Sequence, residues 1–300
     1  RIGGAGRRDG GRGTQGLMGM KLRLILAVAL ACGVAMPALA ATSQVSPKDV
    51  HWSFEGPFGM YDQAQLQRGY KVYREVCSSC HSMNMVAFRN LGDKGGPFWD
   101  PKYPNANDNP VVKAIAADYQ IADIDSDTGE ATKRPGTSAD LFPNPYANPV
   151  AGKAANGGAL PPDMSLLAKA REGGPAYIYS IVTGDNANIP TGLTVPAGKY
   201  YDPYIAGDMS PYWKGDPNNV PRGGVIAMPP PLSPGKVQFD DGTKSSLNQE
   251  AWDVAAFLEW AADPKMEERK QIGLSTMIFL VLFSGLLWAA YRGVWRDIEH

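Results

Sequence analysis

Three cysteines and three histidines are all that 300 residues contain. So few cannot build the disulfide framework that staples small secreted domains. Nor do they supply the usual set of four Cys and His ligands around a structural zinc. Net charge is equally scarce, with 29 basic against 30 acidic side chains, a formal −1. No basic excess points towards nucleic acid. No internal repeat or low-complexity tract is present, and 44% hydrophobic with 20% charged residues is ordinary globular composition.

The neutral balance hides two unequal parts. Residues 1–40 hold six basic groups (Arg1, Arg7, Arg8, Arg12, Lys21, Arg23) and one acid, Asp9. Without them 23 basic and 29 acidic residues remain, a net of −6. The segment reads as a leader with a cleavable export signal. Lys21 and Arg23 precede an apolar run from Leu24 to Met36, and Ala38-Leu39-Ala40 is a small-x-small cleavage site, so cleavage is expected before Ala41. The run is too short to span a bilayer, which takes about 20 residues. Ile272 to Tyr291 does have that length and no charge. Trp288, Tyr291 and Trp295 suit an interfacial aromatic belt. Basic residues flank both ends, so the signal orients the chain: residues 41–264 are exported, 265–271 form a hinge, 272–291 span the membrane, and 292–300 stay cytoplasmic.

Cys32 falls in the signal. The other two cysteines stand in Cys77-Ser78-Ser79-Cys80-His81. A disulfide and a Cys-x-x-Cys redox pair are the bland readings. Cys-x-x-Cys-His is also the attachment sequence of a c-type haem, which an exported chain can carry. On that reading both thiols bond one haem and His81 supplies the proximal nitrogen.

The coarse pattern is helical, with long Pro/Gly-rich connections. Asp62 to His81 reads as one capped helix, with Leu66, Gly69, Tyr70, Tyr73 and Val76 on one face. A shorter helix is expected within Leu160–Arg171, capped by Asp163, and another over Ala176–Val182. The last exported helix is expected over Leu247–Ala262, with Ser246 and Gln249 as a capping box. Gly92–Pro110 and Asp123–Asn156 read as long connections, a length uncommon unless functional.

The sixth iron ligand decides the chemistry, because an open position permits gas binding or catalysis, whereas a Met sulfur favours electron transfer. His51 and His300 are the only other histidines. Met83 and Met85 are too close to His81 in sequence, and Met164 reads as core. Met209 and Met228 remain as loop candidates, with Met228 favoured because Pro229-Pro230-Pro231 fixes the backbone beyond it.

The order of segments resembles the cytochrome c1 family. The resemblance rests on His51-Trp52-Ser53-Phe54-Glu55-Gly56, Arg68 through Met83, Ala155-Asn156-Gly157-Gly158-Ala159-Leu160-Pro161-Pro162-Asp163 and Lys169-Ala170-Arg171. It continues through Ala227 to Leu232, Asp240-Asp241-Gly242-Thr243 and Phe257 to Pro264, then the tail anchor. It implies a mainly α, class I cytochrome c-like haem domain with long loop insertions, plus one C-terminal transmembrane helix. It implies that Met228 is the axial methionine and that Asn156, Pro161, Pro162, Arg171 and Tyr177 line the pocket, with Arg171 meeting a haem propionate. Gly69 and Tyr73 would cross the last helix near Val254, Phe257 and Leu258.

The implied function is one-electron transfer from a Rieske iron–sulfur protein to a soluble or membrane-bound cytochrome c, beside cytochrome b, within ubiquinol–cytochrome c oxidoreductase. One covalent haem c, a bacterial inner membrane with the haem domain in the periplasm, and lipid but no nucleic acid as further partners follow from the same resemblance. Acids in Asp118–Glu130 are candidates for attracting a basic cytochrome c. Some bacterial members carry a further disulfide near the haem; lacking cysteines for it, the Ala187–Met209 loop would rely on proline and aromatic packing. The alternatives are an anchored haem subunit of a terminal oxidase or dehydrogenase, and a haem sensor or enzyme with an open iron position.

Overall fold

The computed structural model describes residues 44–184 and 189–296. The leader and signal, the start of the Ala187–Met209 loop and His300 lie outside the described residues.

Asp62 caps the first helix among the described residues, α1 (Gln63–Glu75), accepting from the amides of Ala64 at 2.9 Å and Gln65 at 3.2 Å. These donors have no carbonyl partner in a first turn. Leu66, Gly69, Tyr70, Val72 and Tyr73 are buried. The helix expected to reach His81 stops at Glu75, and Cys77–Ser79 form a 3-10 turn. The reason is local. Ser78 and Ser79 hydroxyls donate to the carbonyls of Arg74 (2.7 Å) and Val76 (2.9 Å), competing for acceptors that a continuing α-helix would use.

Four elements lie where connections, or nothing in particular, had been expected: α2 (Pro110–Ala117), a hairpin of β1 (Gln120–Ile124) and β2 (Ala131–Pro135), and α3 (Pro149–Ala155). Both hairpin strands are largely exposed, so they show no alternation of apolar and polar residues. Arg134 holds the hairpin through Asp123 and Asp140, each at 2.7 Å.

Leu160–Arg171 folds as a run of turns rather than the expected helix. Its expected cap, Asp163, accepts instead from the amides of Asn84 and Ser165, each at 2.9 Å. The carboxylate thus ties the segment to the residues after His81. Beyond it come α4 (Gly174–Val182) and a short antiparallel pair, β3 (Tyr200–Asp202) and β4 (Gly224–Ile226). In the described part of the 189–213 segment, Leu193 bridges to Trp213.

α5 spans Leu247–Ala262, as the sequence pattern predicts. Ser246 accepts from the Gln249 amide at 3.2 Å, but the Gln249 side chain donates to Asp253 at 3.0 Å, so only half of the expected capping box is formed. α1 crosses α5 at Gly69. A Cβ there would collide with the Asp253 carbonyl oxygen and come within 2.7 Å of Phe257 Cβ. Beside the crossing, Tyr70 and Tyr73 meet Phe142 and Phe257 at ring-centroid distances of 5.8 to 6.5 Å. Arg68 pairs with the fully buried Asp253 carboxylate at 2.9 Å.

The last helix, α6, runs from Met266 to Trp295. The segment expected as a hinge is therefore helical from Met266 onward, and it is fastened to the domain that precedes it. Arg269 pairs with Asp263 at 2.6 Å, and the Tyr61 amide donates to Glu267 at 2.8 Å. Beyond Met266, every described residue of α6 is exposed or half-exposed. Thirty residues at about 1.5 Å each exceed the roughly 30 Å of a hydrocarbon core. The helix is long and apolar enough to cross a membrane.

Candidate haem site

The 3-10 turn after α1 puts residues 77, 80 and 81 on one side. The amides of Cys80 and His81 both donate to the Cys77 carbonyl, at 3.1 and 2.9 Å. The two thiols are not bridged. They face an apolar cavity of about 330 Å³, a volume typical of cofactor sites. Cys77, Cys80, His81 and Met228 all line it. So do Asn156, Pro161, Pro162, Arg171 and Tyr177. Six segments converge: the 3-10 turn, the 156–171 loop, α4, the turn at Ile205, the stretch from the end of β4 to Pro229, and α5. Sequence reasoning did not name the apolar wall made by Ile178, Ile181 and Val182 with Val254 and Leu258. Its signal was present as three- and four-residue spacing in α4 and α5.

His81 is held in a defined orientation. Its Nδ1 lies 2.8 Å from the Pro162 carbonyl. A carbonyl can only accept, so Nδ1 carries the proton and Nε2 keeps its lone pair. Burial holds the imidazole below its ordinary pKa, against the opposing pull of the Pro162 carbonyl and the Asp163 charge. The ring is therefore neutral at pH 7, the form that binds a metal. The Cys77 thiol is pushed up to about 12, chiefly by burial and secondly by Cys80. A reactive redox thiol needs the opposite shift.

The remaining candidate ligands separate clearly. His51 is exposed and paired with Glu55 at 3.1 Å, away from the cavity wall. Met83 and Met209 are buried outside the lining, whereas Met85 is exposed. Met164 also lines the cavity, but its amide is bonded to the Ser82 carbonyl at 2.8 Å, close in the chain to His81. Met228 arrives independently, at the end of β4.

Residues 52–298 match the Cytochrome C1 family. A cytochrome c1 of Rhodospirillum rubrum is 40% identical over 281 residues, covering 93% of this chain and 98% of its own length. One of Blastochloris viridis is 39% identical, covering 94% and 99%. The cytochrome b/c1 of Bradyrhizobium diazoefficiens is 39% identical over 95% of this chain, which spans 41% of that protein's length.

The chain belongs to the cytochrome c1 family. Covalent haem c is the cofactor of a cytochrome c1, and the cavity fits it. Two unbridged thiols stand one turn apart, an imidazole presents an unprotonated nitrogen, and the walls are mostly apolar. At the rim lies the exposed guanidinium of Arg171. Tyr177 has its hydroxyl raised by burial and lowered by Arg171 beside it. Asn156 is fixed by donating to the Tyr146 hydroxyl at 2.9 Å and the Gly152 carbonyl at 2.7 Å. The acids expected to attract a partner, Asp118, Asp123, Asp125, Asp127 and Glu130, are all exposed. Asp118 and Asp123 are in addition paired with Arg74 and Arg134.

Proposed function

We propose that this cytochrome c1 passes single electrons from a Rieske iron–sulfur protein to a cytochrome c, beside cytochrome b in ubiquinol–cytochrome c oxidoreductase. The observation behind this reading is the convergence of Cys77, Cys80, His81 and Met228 on one apolar cavity in a chain of this family. The haem iron supplies a one-electron couple and no substrate bond changes.

The chain's own residues do the rest. Cys77 and Cys80 would hold the group covalently through their sulfurs, which the 3-10 turn keeps unbridged and on one side. His81 offers Nε2 while the Pro162 carbonyl keeps the ring from turning. Met228, which lines the same cavity, would supply a thioether sulfur, a ligand that raises the potential. The apolar walls exclude water and disfavour the more highly charged oxidised state. Arg171 lies at the rim, placed to neutralise a propionate. The −6 balance beyond residue 40 speeds encounter with a basic acceptor, an effect that salt weakens. The export signal and α6 orient the haem domain to the periplasmic side of a bacterial inner membrane.

Met228→Leu is the direct test. The wild-type reduced spectrum stays unchanged under carbon monoxide, while the variant binds it and its midpoint potential falls. A variant that keeps the wild-type potential refutes the ligand assignment. Purification in mild detergent tests the assembly, since a b-type cytochrome and a Rieske protein should co-elute. Co-elution with a copper–haem oxidase instead would favour the alternative anchored subunit.

A further inference from the structure

The exported domain carries a second apolar feature at the foot of α6. Phe58 is 76% exposed and Met60 57%, although both sit between the buried Phe54 and Tyr61. Exposed large apolar side chains so close together ask for a covering surface. Their loop is fastened to the helix. The Lys270 ammonium donates to the carbonyls of Phe54 at 2.7 Å and Gly59 at 3.1 Å. The Tyr61 amide holds Glu267, and the Tyr61 hydroxyl reaches the Asp263 carbonyl at 3.2 Å. Gly59 cannot be replaced without disturbing this turn, because a Cβ would collide with the Glu55 carbonyl oxygen.

These contacts fix the height of the loop. Lys270 precedes Ile272, where the uncharged run begins, by two residues, or about 3 Å of helix axis. The residues on either side of Gly59 therefore lie at the level where the hydrocarbon starts. We propose that Phe58 and Met60 enter the lipid headgroup–acyl boundary as a second, non-spanning foot beside α6. The surface they meet is lipid. Two side chains wedged there resist tilting of the haem domain about the anchor. The proposal rests on the reading of α6 as membrane-spanning.

The test uses the haem-loaded full chain with Cys32→Ser, bearing one nitroxide label at a time on Phe58→Cys, Met60→Cys, Phe283→Cys or Asp127→Cys. The protein is reconstituted with its co-purifying subunits in phosphatidylcholine–phosphatidylglycerol vesicles. Accessibility to oxygen and to a water-soluble nickel chelate is read by power saturation. Labels at 58 and 60 should favour oxygen over nickel, between the water-like label at 127 and the deep label at 283. If 283 is deep but 58 and 60 match 127, the lipid foot is wrong and the anchor stands. If 58 and 60 are shielded from both reagents, protein covers them and the lipid assignment fails. A label at 283 that nickel reaches freely would overturn the spanning reading itself.

Discussion

Replacing Gly69 with alanine tests the central crossing of the fold. The new Cβ would collide with the Asp253 carbonyl oxygen and lie 2.7 Å from both the Asp253 carbonyl carbon and Phe257 Cβ. Carbon atoms rest at about 3.5–4.0 Å, so the helices must part by about 1 Å. Inserting atoms into a packed core costs about 1–3 kcal/mol, and backbone on the opposing side puts this site at the upper end. Alanine returns about 1 kcal/mol of helix propensity. The net loss is about 2 kcal/mol. In a domain of this size, that corresponds to about 4–8 °C in Tm. The shift also strains the Arg68–Asp253 pair, which can only add to the loss. The assay is thermal unfolding of the haem-loaded protein in detergent, followed by near-ultraviolet circular dichroism and Soret absorbance. Gly273→Ala is the control, because nothing lies within 4 Å of that Cβ, and it should leave the transition in place. If Gly69→Ala unfolds with the wild type, α1 and α5 do not cross there.

Arg68→Ala strips the buried Asp253 carboxylate of its main counter-charge, which should cost about 3–5 kcal/mol in urea unfolding. Adding Asp253→Asn should recover most of the loss, and a single variant within about 1 kcal/mol of wild type would contradict the pairing. Asp202 is buried, and burial pushes its pKa from 3.8 up to about 6, against the Tyr204 amide and Lys48. The folded state therefore binds a proton that the unfolded chain has released, and stability falls as pH rises between those values. Asp202→Asn should flatten that slope, so its advantage over wild type should be larger at about pH 7 than at about pH 4. An unchanged slope would remove Asp202 as its source.

The sequence alone determined the Cys-x-x-Cys-His motif, the helix over Leu247–Ala262 and the membrane-length run. Each is a local signal, a motif or a hydrophobic period that needs no distant partner. The Cys-x-x-Cys-His motif named three site candidates, and resemblance named the other six; from the residues alone, Met228 was favoured over Met209 only because prolines follow it. Tertiary structure separated them by burying Met209 in the core and bringing Met228 to the cavity wall. Sequence could not show that the α-helix ends at Glu75, because side-chain hydroxyls compete there with the backbone for carbonyls. Nor could it show that Asp163 leaves its expected helix to hold the residues after His81. The exposed hairpin gave no period to read. The docking of Lys270 on the Phe54 and Gly59 carbonyls is likewise invisible, because contacts more than 200 residues apart follow from how helices pack.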